Sequence, residues 1–271
     1  MAFREEVGFP ARHPPKPLTS GRRIIKTKTM IYEIAGLRIK IEYKHDFTAK
    51  FCKEYLSEDQ TSAVDIVARV TEEEFAAERA LSAEFSDGYI ENICLYRSIC
   101  TQIPILNRML LHCAVLEYDG KGYAFLGRSG TGKSTHTRLW KKYLSTPKMI
   151  NGDKPILQLV GDGFVAHGTP WKGKEAWGMR ASAPLCGLCF LEQAKENSIR
   201  KLTPAEVSAR LFNQILLPEN EENVVSTLDL ADKLIATTPA YLLKCDISRE
   251  AVKLSFEQMT GLSFEEREQK N

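Results

Sequence analysis

Alternating apolar and polar positions near the start of the chain predict two short β-strands. In MIYEIAGLRIKIEYK (30–44) this alternation runs on both sides of Ala35-Gly36, a pair that favours a bend. Residues 47–57 and 72–82 have helical character, and EEEFAAERAL in the second is rich in helix-forming residues. We therefore expect residues 24–105 to form a small α+β segment, in which we find no cluster of chemically reactive side chains.

The pattern from residue 106 onward predicts a larger α/β domain that extends to residue 271. An apolar run at 109–118 predicts a buried strand, the turn DGKG follows at 119–122, and YAFLG at 123–127 predicts a second strand of a hairpin. Leu139 and Tyr143 lie four residues apart in STHTRLWKKYL, a spacing typical of a helix over 134–144.

Turn and capping signals divide the remainder of this domain. Asp162-Gly163 lies between PILQLVG and FVAHG and predicts another hairpin. Thr203 and Glu206 form a capping box with Pro204 at the first helical position. The later segments predict a helix at 223–236, a strand at 241–246 and a helix at 248–261, with Ser248 as N-cap and Gly261 past the end.

Composition and charge exclude several classes of protein. Hydrophobic residues make up 43% of the 271 residues, charged residues 27%, and the net charge is +2, so we expect a globular protein that binds neither nucleic acid nor membrane. No apolar run approaches the roughly 20 residues that span a bilayer, and no secretory signal is evident, so we expect a cytoplasmic protein. Residues 1–23 are basic, rich in proline and poor in apolar side chains, which predicts a disordered tail.

The cysteines do not indicate a disulfide framework or a metal site. Their number, seven, is odd. Cys186 and Cys189 form a C-x-x-C, but they lie in the apolar run APLCGLCFLEQ, which predicts a buried strand, and no second C-x-x-C completes a zinc site.

The strongest chemical signal is GRSGTGKST at 127–135, which fits the phosphate-binding spacing G-x-x-x-x-G-K-[ST]. Glycines let the backbone wrap around an anion, and the helix that follows adds its positive N-terminal end. Lys133 is expected to reach the outer phosphates and Ser134 to coordinate a divalent cation. The residues that we expect to contact the nucleotide are Gly127, Ser129, Gly130, Thr131, Gly132, Lys133, Ser134 and Thr135.

A bound magnesium ion would also need a carboxylate, and two aspartates are candidates. Asp153 follows a short apolar entry in KMINGDKPIL, about one helix and one loop beyond the glycines, and we prefer it. Asp162 ends an apolar run but is followed by glycine, so a turn explains it better.

The combination of these segments resembles a known family. LLHCAVLEYDGKGYAFLGRSGTGKST resembles the catalytic domain of HPr kinase/phosphorylase, whose wider relatives are the ATP-dependent phosphoenolpyruvate carboxykinases, and GTGKSTHTRLW, NGDKP, GTPWKGK and FLEQAKENSIRKL resemble stand-alone HPr-kinase-like proteins. The resemblance covers about 106–260. It implies an α/β P-loop kinase core with a mixed sheet that binds ATP and Mg²⁺ and phosphorylates a serine hydroxyl.

The resemblance also implies roles for individual residues. Lys133 would hold the β- and γ-phosphates, Ser134 and Asp153 would hold Mg²⁺, and His112 would lie near the reacting phosphate. Arg180, beyond GTPWKGK, is a candidate for charge stabilisation. HPr kinases carry adjacent aspartates where this chain has Gly152-Asp153, and the first is thought to act as the base on the incoming hydroxyl. Three outcomes are open: Asp153 both binds Mg²⁺ and acts as the base, another group such as His112 acts as the base, or transfer is lost while nucleotide binding survives.

Other residues have both a structural and a functional interpretation. His136 follows the glycines on the first helical turn, which favours a surface position, although it could approach the nucleotide. GTPWKGKEAWG (168–178) favours a hydrophobic loop anchored by Trp171, with an acceptor- or phosphate-contacting loop as the alternative. Arg138, Lys141 and Lys142 are typical of a solvated helix face.

From these observations the sequence predicts an ATP/Mg²⁺-dependent phosphotransferase of the HPr-kinase-like type. Its acceptor would be a hydroxyl of a protein, a peptide or a small molecule. The alternative is a nucleotide-binding regulatory module with weak or no transfer activity, as Gly152 indicates. The sequence leaves the oligomeric state open and is compatible with a homo-oligomer.

Overall fold

A computed structural model describes residues 26–269. The predicted tail at 1–23 therefore lies outside the described residues. The first part of the described chain is a three-stranded sheet with helices, in which β1 pairs with β2 antiparallel and β2 pairs with β3 parallel. Its elements are β1 (Lys28–Ile34), β2 (Leu37–Tyr43), α1 (Asp46–Phe51), β3 (Ile66–Ala68), α2 (Glu72–Leu81) and α3 (Asp87–Cys100).

The rest of the described chain builds a nine-stranded mixed sheet with helices, which is an α/β arrangement. The strands are β4 (Arg108–Leu110), β5 (Cys113–Tyr118), β6 (Lys121–Leu126), β7 (Lys148–Asn151), β8 (Ile156–Val160), β9 (Gly163–His167), β10 (Ser182–Gln193), β11 (Ser198–Lys201) and β12 (Ala240–Cys245). The helices are α4 (Lys133–Tyr143), α5 (Pro204–Leu211), α6 (Glu221–Thr237), α7 (Arg249–Thr260) and α8 (Phe264–Arg267).

The long strand β10 organises this sheet. The strand order is β4-β8-β9-β10-β6-β5-β7, with β12 also beside β10 and β11 beside β12. β10 is parallel to β6 and to β12, and the other pairs are antiparallel. The register of β10 with β6 shifts between Leu185 and Gly187, an irregularity that lets one strand bend and serve several neighbours.

Three apolar clusters hold these elements together. One joins the sheet to α5 and α6 through residues such as Leu188 and Leu234, and another joins it to α4, α7 and α8 through Trp140, Phe256 and Phe264. The third, which we call the N-terminal cluster, packs the three-stranded sheet against α3. It also includes Trp171, which lies in the connection between β9 and β10. The predicted domain boundary near residue 105 stays a prediction.

The local signals in the sequence are largely matched by the structure. β5 and β6 form the predicted hairpin, β8 and β9 form the second, and Thr203 and Glu206 form the capping box of α5. Ser248 caps α7, and Gly261 ends it in the left-handed conformation. Within residues 26–269, no helix combines the length and the apolar character that crossing a membrane requires.

Two predictions about elements were wrong, and one helix was not predicted. The strand predicted at 109–118 is interrupted after Leu110, so His112 lies between two strands rather than within one. The helical segment predicted at 47–57 is a shorter helix followed by a 3₁₀ turn at Lys53–Tyr55. Helix α3 was not predicted, because 11 of its 14 residues are buried and the sequence shows no single apolar stripe.

The predicted surface position of His136 was also wrong. The residue is 2% exposed, its Nε2 lies 2.9 Å from Ser255 Oγ, and its ring packs against Phe125. The same Ser255 hydroxyl accepts a hydrogen bond from Trp140 Nε1 at 2.9 Å. His136 therefore faces the core between α4 and α7.

The burial of His136 makes a prediction about stability and pH. Burial lowers the pKa of His136 to about 3, so the folded state keeps it neutral while the unfolded chain protonates below about 6.5. Stability is therefore lost as the pH falls from about 6.5 towards 3. When the pH is lowered from 7 to 5, we expect the free energy of unfolding of the wild type to fall by about 2 kcal/mol more than that of His136→Gln. Urea unfolding at the two pH values measures this, and equal losses would contradict it.

Candidate active site

The sheet brings three parts of the predicted site to one edge. β5 is antiparallel to both β6 and β7, and its first residue, Cys113, pairs with Leu126 at the end of β6. Two residues further on, Val115 pairs with Asn151 at the end of β7. The start of β5 therefore lies beside the ends of both neighbours. This places His112, the glycine-rich segment and Asp153 together at that edge.

The glycine loop, residues 127–132, has the backbone that the sequence required. Gly127, Gly130 and Gly132 have φ values of 153°, 75° and 104°, in the region that favours glycine. A Cβ at Gly127 would lie 2.5 Å from Thr131 Oγ1, so this position also needs glycine for space. Lys133 Nζ donates to Gly127 O at 2.7 Å, which holds the lysine against the loop.

The start of α4 differs from that of the other long helices. Every other described helix of eight or more residues has a side-chain N-cap, provided by Thr71, Ser86, Thr203, Asn220 and Ser248. α4 begins after Gly132, which has no side chain to cap it. The first amide groups of a helix need acceptors from outside the helix, so this end is suited to bind an anion.

A cleft of about 350 Å³ opens between the glycine loop, the start of α4 and the segment around Asp153. This volume lies at the lower end of the range for small-molecule sites. The residues that line it are His112, Ser129, Gly130, Gly132, Lys133, Ser134, Thr135, Met149, Gly152, Asp153, Lys172, Gly173, Lys174, Glu175 and Trp177. Of the predicted nucleotide contacts, Gly127 and Thr131 support the loop from behind and do not line the cleft.

Asp153 is held between two basic side chains. Its Oδ1 lies 3.1 Å from His112 Nε2, and its Oδ2 accepts a hydrogen bond from Lys154 Nζ at 2.7 Å. Burial acts to raise the pKa of Asp153, but the contact with His112 and the charge of Lys154 outweigh it and lower the pKa to about 2. Asp153 is therefore ionised at neutral pH although it is largely buried.

Asn151 shapes the turn that presents Asp153. Its side-chain Oδ1 accepts from the backbone N–H groups of Asp153 and Lys154 at 2.9 and 2.7 Å. Its Nδ2 donates to Thr169 Oγ1 at 3.1 Å, and Thr169 Oγ1 donates in turn to Lys154 O at 2.7 Å. The side chains of Asn151 and Thr169 are both fully buried, so the turn is fixed by hydrogen bonds that water does not replace.

Residues 168–180, which we call the covering loop, form the wall opposite the glycine loop. Trp171 is buried in the N-terminal cluster and donates from Nε1 to Asn92 Oδ1 at 3.0 Å, as expected of an anchor. Trp177 lies under Arg138, whose guanidinium carbon is 4.8 Å from the ring centroid. Arg138 also pairs with Glu175, so this arginine joins α4 to the covering loop instead of only facing solvent.

The backbone of the covering loop lies directly against Gly152. Gly152 N donates to Trp177 O at 2.8 Å. A Cβ on Gly152 would meet Lys172 O at 2.9 Å and Trp177 O at 3.1 Å, and both are backbone atoms that cannot rotate away. Position 152 therefore has no room for a side chain in this arrangement.

Two predicted or alternative site residues are not in the cleft. Arg180 donates to Glu33 Oε2 at 2.7 Å and lines a different cavity, so its placement gives no support to a role at the phosphates. Asp162 is exposed in the turn between β8 and β9 and does not line the cleft. Of the two aspartates considered for the metal, the structure brings only Asp153 next to the glycine loop.

Sequence reasoning missed Lys154 as part of the site. Its side chain is 8% exposed and contacts the Asp153 carboxylate, and its Nζ lies 6.0 Å from the ring centroid of Tyr96. In the sequence it is one of many lysines, next to an aspartate in NGDKP. Lys154 follows a turn and belongs to no periodic apolar pattern, so the sequence gave no signal that it is buried.

The donor set in the cleft fits a metal only if a ligand brings further oxygens. Within the described chain, no group of three or more His, Cys, Asp or Glu side chains is arranged to hold a metal ion. Ser134 and Asp153 both line the cleft and offer one hydroxyl and one ionised carboxylate. Mg²⁺ at nucleotide sites takes one or two protein oxygens together with phosphates and waters, and these two residues meet that need.

Comparison with known proteins identifies the family. The model of the family "SynChlorMet cassette protein ScmC" matches residues 89–253, which include the cleft and more than half of the chain. The chain therefore belongs to the ScmC family. No curated protein matches the sequence.

Solved structures add a likeness that is too loose to establish a shared fold. The structure of the Hpr(Ser) kinase/phosphatase from Coxiella burnetii is 10% identical and covers 56% of this chain and 88% of its own, with a TM-score of 0.31.

The close approach at Gly152 can be tested by adding one methyl group. We expect Gly152→Ala to lower the free energy of unfolding by about 1–3 kcal/mol, because the Cβ must push apart two backbone carbonyls. Gly163→Ala is the matched control, since a Cβ there meets nothing within 4 Å, and its effect should stay near zero. Urea unfolding of both variants gives the measurement. Equal stability of Gly152→Ala and wild type would show that the covering loop does not pack on residue 152.

Proposed function

We propose that this protein binds ATP with Mg²⁺ in the cleft and transfers the γ-phosphoryl group to a hydroxyl. The acceptor would be a serine of a protein or peptide, or a hydroxyl of a small molecule. The observation that carries the proposal is the juxtaposition of the glycine loop, the uncapped start of α4 and the ionised Asp153 in one cleft. The resemblance of 106–260 to HPr kinase/phosphorylase supports a P-loop kinase core of that type.

The binding part of this proposal follows from the backbone and Lys133. Amide N–H groups of the glycine loop and of the first turn of α4 would donate hydrogen bonds to the phosphate oxygens. Lys133 Nζ, now bonded to Gly127 O, would exchange that carbonyl for the outer phosphates. Bound Mg²⁺ would supply positive charge to the phosphates, and Ser134 and Asp153 would be its protein ligands.

The transfer part depends on His112 and Asp153, because residue 152 offers no carboxylate. In the proposed step the acceptor oxygen bonds to the γ-phosphorus, the bond to the ADP oxygen breaks, and His112 takes the hydroxyl proton. The Asp153 carboxylate, 3.1 Å from His112 Nε2, would stabilise the imidazolium that forms. Lys154 would keep that carboxylate in place during the step.

One observation favours a second function, a nucleotide-binding regulatory module with weak or no transfer. The turn at Gly152 is closed by carbonyls of the covering loop, so position 152 has no room for the aspartate that the resemblance would place there. General-base assistance contributes about 10²–10⁴-fold to rate, while positioning and charge neutralisation contribute the larger share of phosphoryl transfer. We therefore rank transfer first and binding alone second.

Incubation with γ-labelled ATP, Mg²⁺ and cell extract tests the transfer. We expect labelled product from wild type and a loss of about 100-fold or more from Lys133→Ala, because the outer phosphates lose their ammonium partner. Lys142→Ala is the control, since Lys142 is exposed on the same helix and should retain activity. If wild type gives no more product than Lys133→Ala but gains thermal stability with Mg-ATP, the regulatory module is the correct function.

The assignment of the metal ligand is tested by comparing the two aspartates. At ATP concentrations about 100 times Kd, binding stabilises a protein by about 2.7 kcal/mol. We expect the magnesium-dependent part of this gain to disappear in Asp153→Asn and to persist in Asp162→Asn. Thermal unfolding with ATP, with and without Mg²⁺, measures each gain against the variant's own baseline. The opposite pattern would move the metal site to Asp162.

A further inference from the structure

A second cavity lies where the N-terminal sheet meets the larger sheet. Its volume is about 300 Å³, and none of its lining residues also lines the candidate active site. The polar side chains around it are those of Glu33, Arg38, Tyr55, His167, Arg180 and Ser182. Gly168 and Ala181 also line it, and Gly168 N donates to Ala181 O at 2.9 Å. The cavity therefore lies at the base of the covering loop, whose middle lines the active-site cleft.

The two arginines of this cavity are held very differently. Arg38 donates from Nε to Ala63 O at 3.1 Å, from one terminal nitrogen to Ser57 Oγ at 3.2 Å and from the other to Asp59 O at 2.9 Å. All three of its nitrogens are therefore engaged, and Arg38 is a fixed part of the wall. Arg180 instead donates to Glu33 Oε2 at 2.7 Å and to Glu54 O at 3.3 Å.

The Arg180–Glu33 pair is suited to exchange. Both side chains are nearly half exposed, 46% and 41%, and an ion pair so open to water contributes little to stability. Glu33 also accepts a hydrogen bond from Ser57 Oγ at 2.8 Å and lies 3.7 Å from Arg38. It therefore keeps partners when a carboxylate from outside replaces it on Arg180. Glu33 shows which chemical group the guanidinium holds at this place, because guanidinium and carboxylate match in geometry and charge.

Tyr55 forms the part of the cavity wall that lies beneath Arg180. It lines the cavity and is 1% exposed. The guanidinium carbon of Arg180 lies 6.0 Å from the Tyr55 ring centroid, so both residues face one small volume.

We propose that this cavity is a binding site for a carboxylate group, which Arg180 holds after exchanging it for Glu33. The group comes either from a small free acid or from the end of a peptide chain. The bound carboxylate lies beside the joined ends of the covering loop. The site does not depend on the nucleotide function proposed above, since no residue of the phosphate-binding cleft takes part in it.

Succinate and the peptide N-acetyl-Gly-Gly-Glu are the probes for this site, with succinamide and inorganic phosphate as controls. Saturation-transfer NMR with the full chain measures the affinities. We expect succinate, the peptide or both to bind wild type, and succinamide not to bind. Stronger binding of succinate identifies a free acid as the source, and stronger binding of the peptide identifies a chain end.

Two variants with opposite expected effects separate binding from damage to the fold. Arg180→Met should weaken binding by about tenfold or more, because the charged donor is lost. Glu33→Gln should strengthen it by about threefold, because the competing charge is removed. Arg200→Met is the matched control, since Arg200 pairs with Glu206 on another part of the surface. If Arg180→Met does not fold, Glu33→Gln decides.

The proposal is overturned by any of four results. The first two concern the wild type: it binds neither succinate nor the peptide, or it binds phosphate more tightly than both. The other two concern the variants: Arg180→Met binds the acids as tightly as the wild type, or Glu33→Gln binds them more weakly.

Discussion

The contact between the backbone of the covering loop and Gly152 constrains everything else in the candidate active site. Trp177 O accepts from Gly152 N, and a Cβ on Gly152 would lie 2.9 Å from Lys172 O, so the turn that follows β7 has no room for a side chain there. The next residue, Asp153, is thereby fixed between His112 and Lys154. Gly173 extends the same constraint, since a Cβ on it would lie 2.9 Å from Asp153 Cβ.

This packing decides the charge balance of the cleft. A single carboxylate contacts one lysine and one histidine, so Asp153 stays ionised in spite of its burial. Removing one member of such a buried pair is costly, because the remaining charge has no partner. Lys154 therefore has a structural reason to be present whatever reaction the cleft performs. A carboxylate beside an imidazole differs chemically from two adjacent carboxylates.

The sequence predicted those features that short-range rules control. The hairpins at Asp119-Gly120 and Asp162-Gly163, the caps at Thr203 and Ser248, and the glycine loop all depend on residues close in the chain. Trp171 was also expected to anchor its loop, because a tryptophan among glycines is rarely left in water.

The features that the sequence did not reveal depend on contacts between distant segments. His136 has the local setting of a surface residue, and only the packing of α7 against α4 buries it on Ser255. α3 lacks an amphipathic pattern because several elements surround it. The pairing of Arg180 with Glu33 joins residues 147 positions apart, so no local pattern could place that arginine outside the cleft. The closure of Gly152 by the covering loop was hidden for the same reason.

The central claim is that the glycine loop, the start of α4 and Asp153 form one nucleotide cleft. A crystal structure with Mg²⁺ and a nonhydrolysable ATP analogue tests it most directly. The account predicts the triphosphate against the amides of residues 128–134, with its terminal phosphate facing His112 and Asp153. A triphosphate bound elsewhere, or one whose terminal phosphate points away from Asp153, would contradict it.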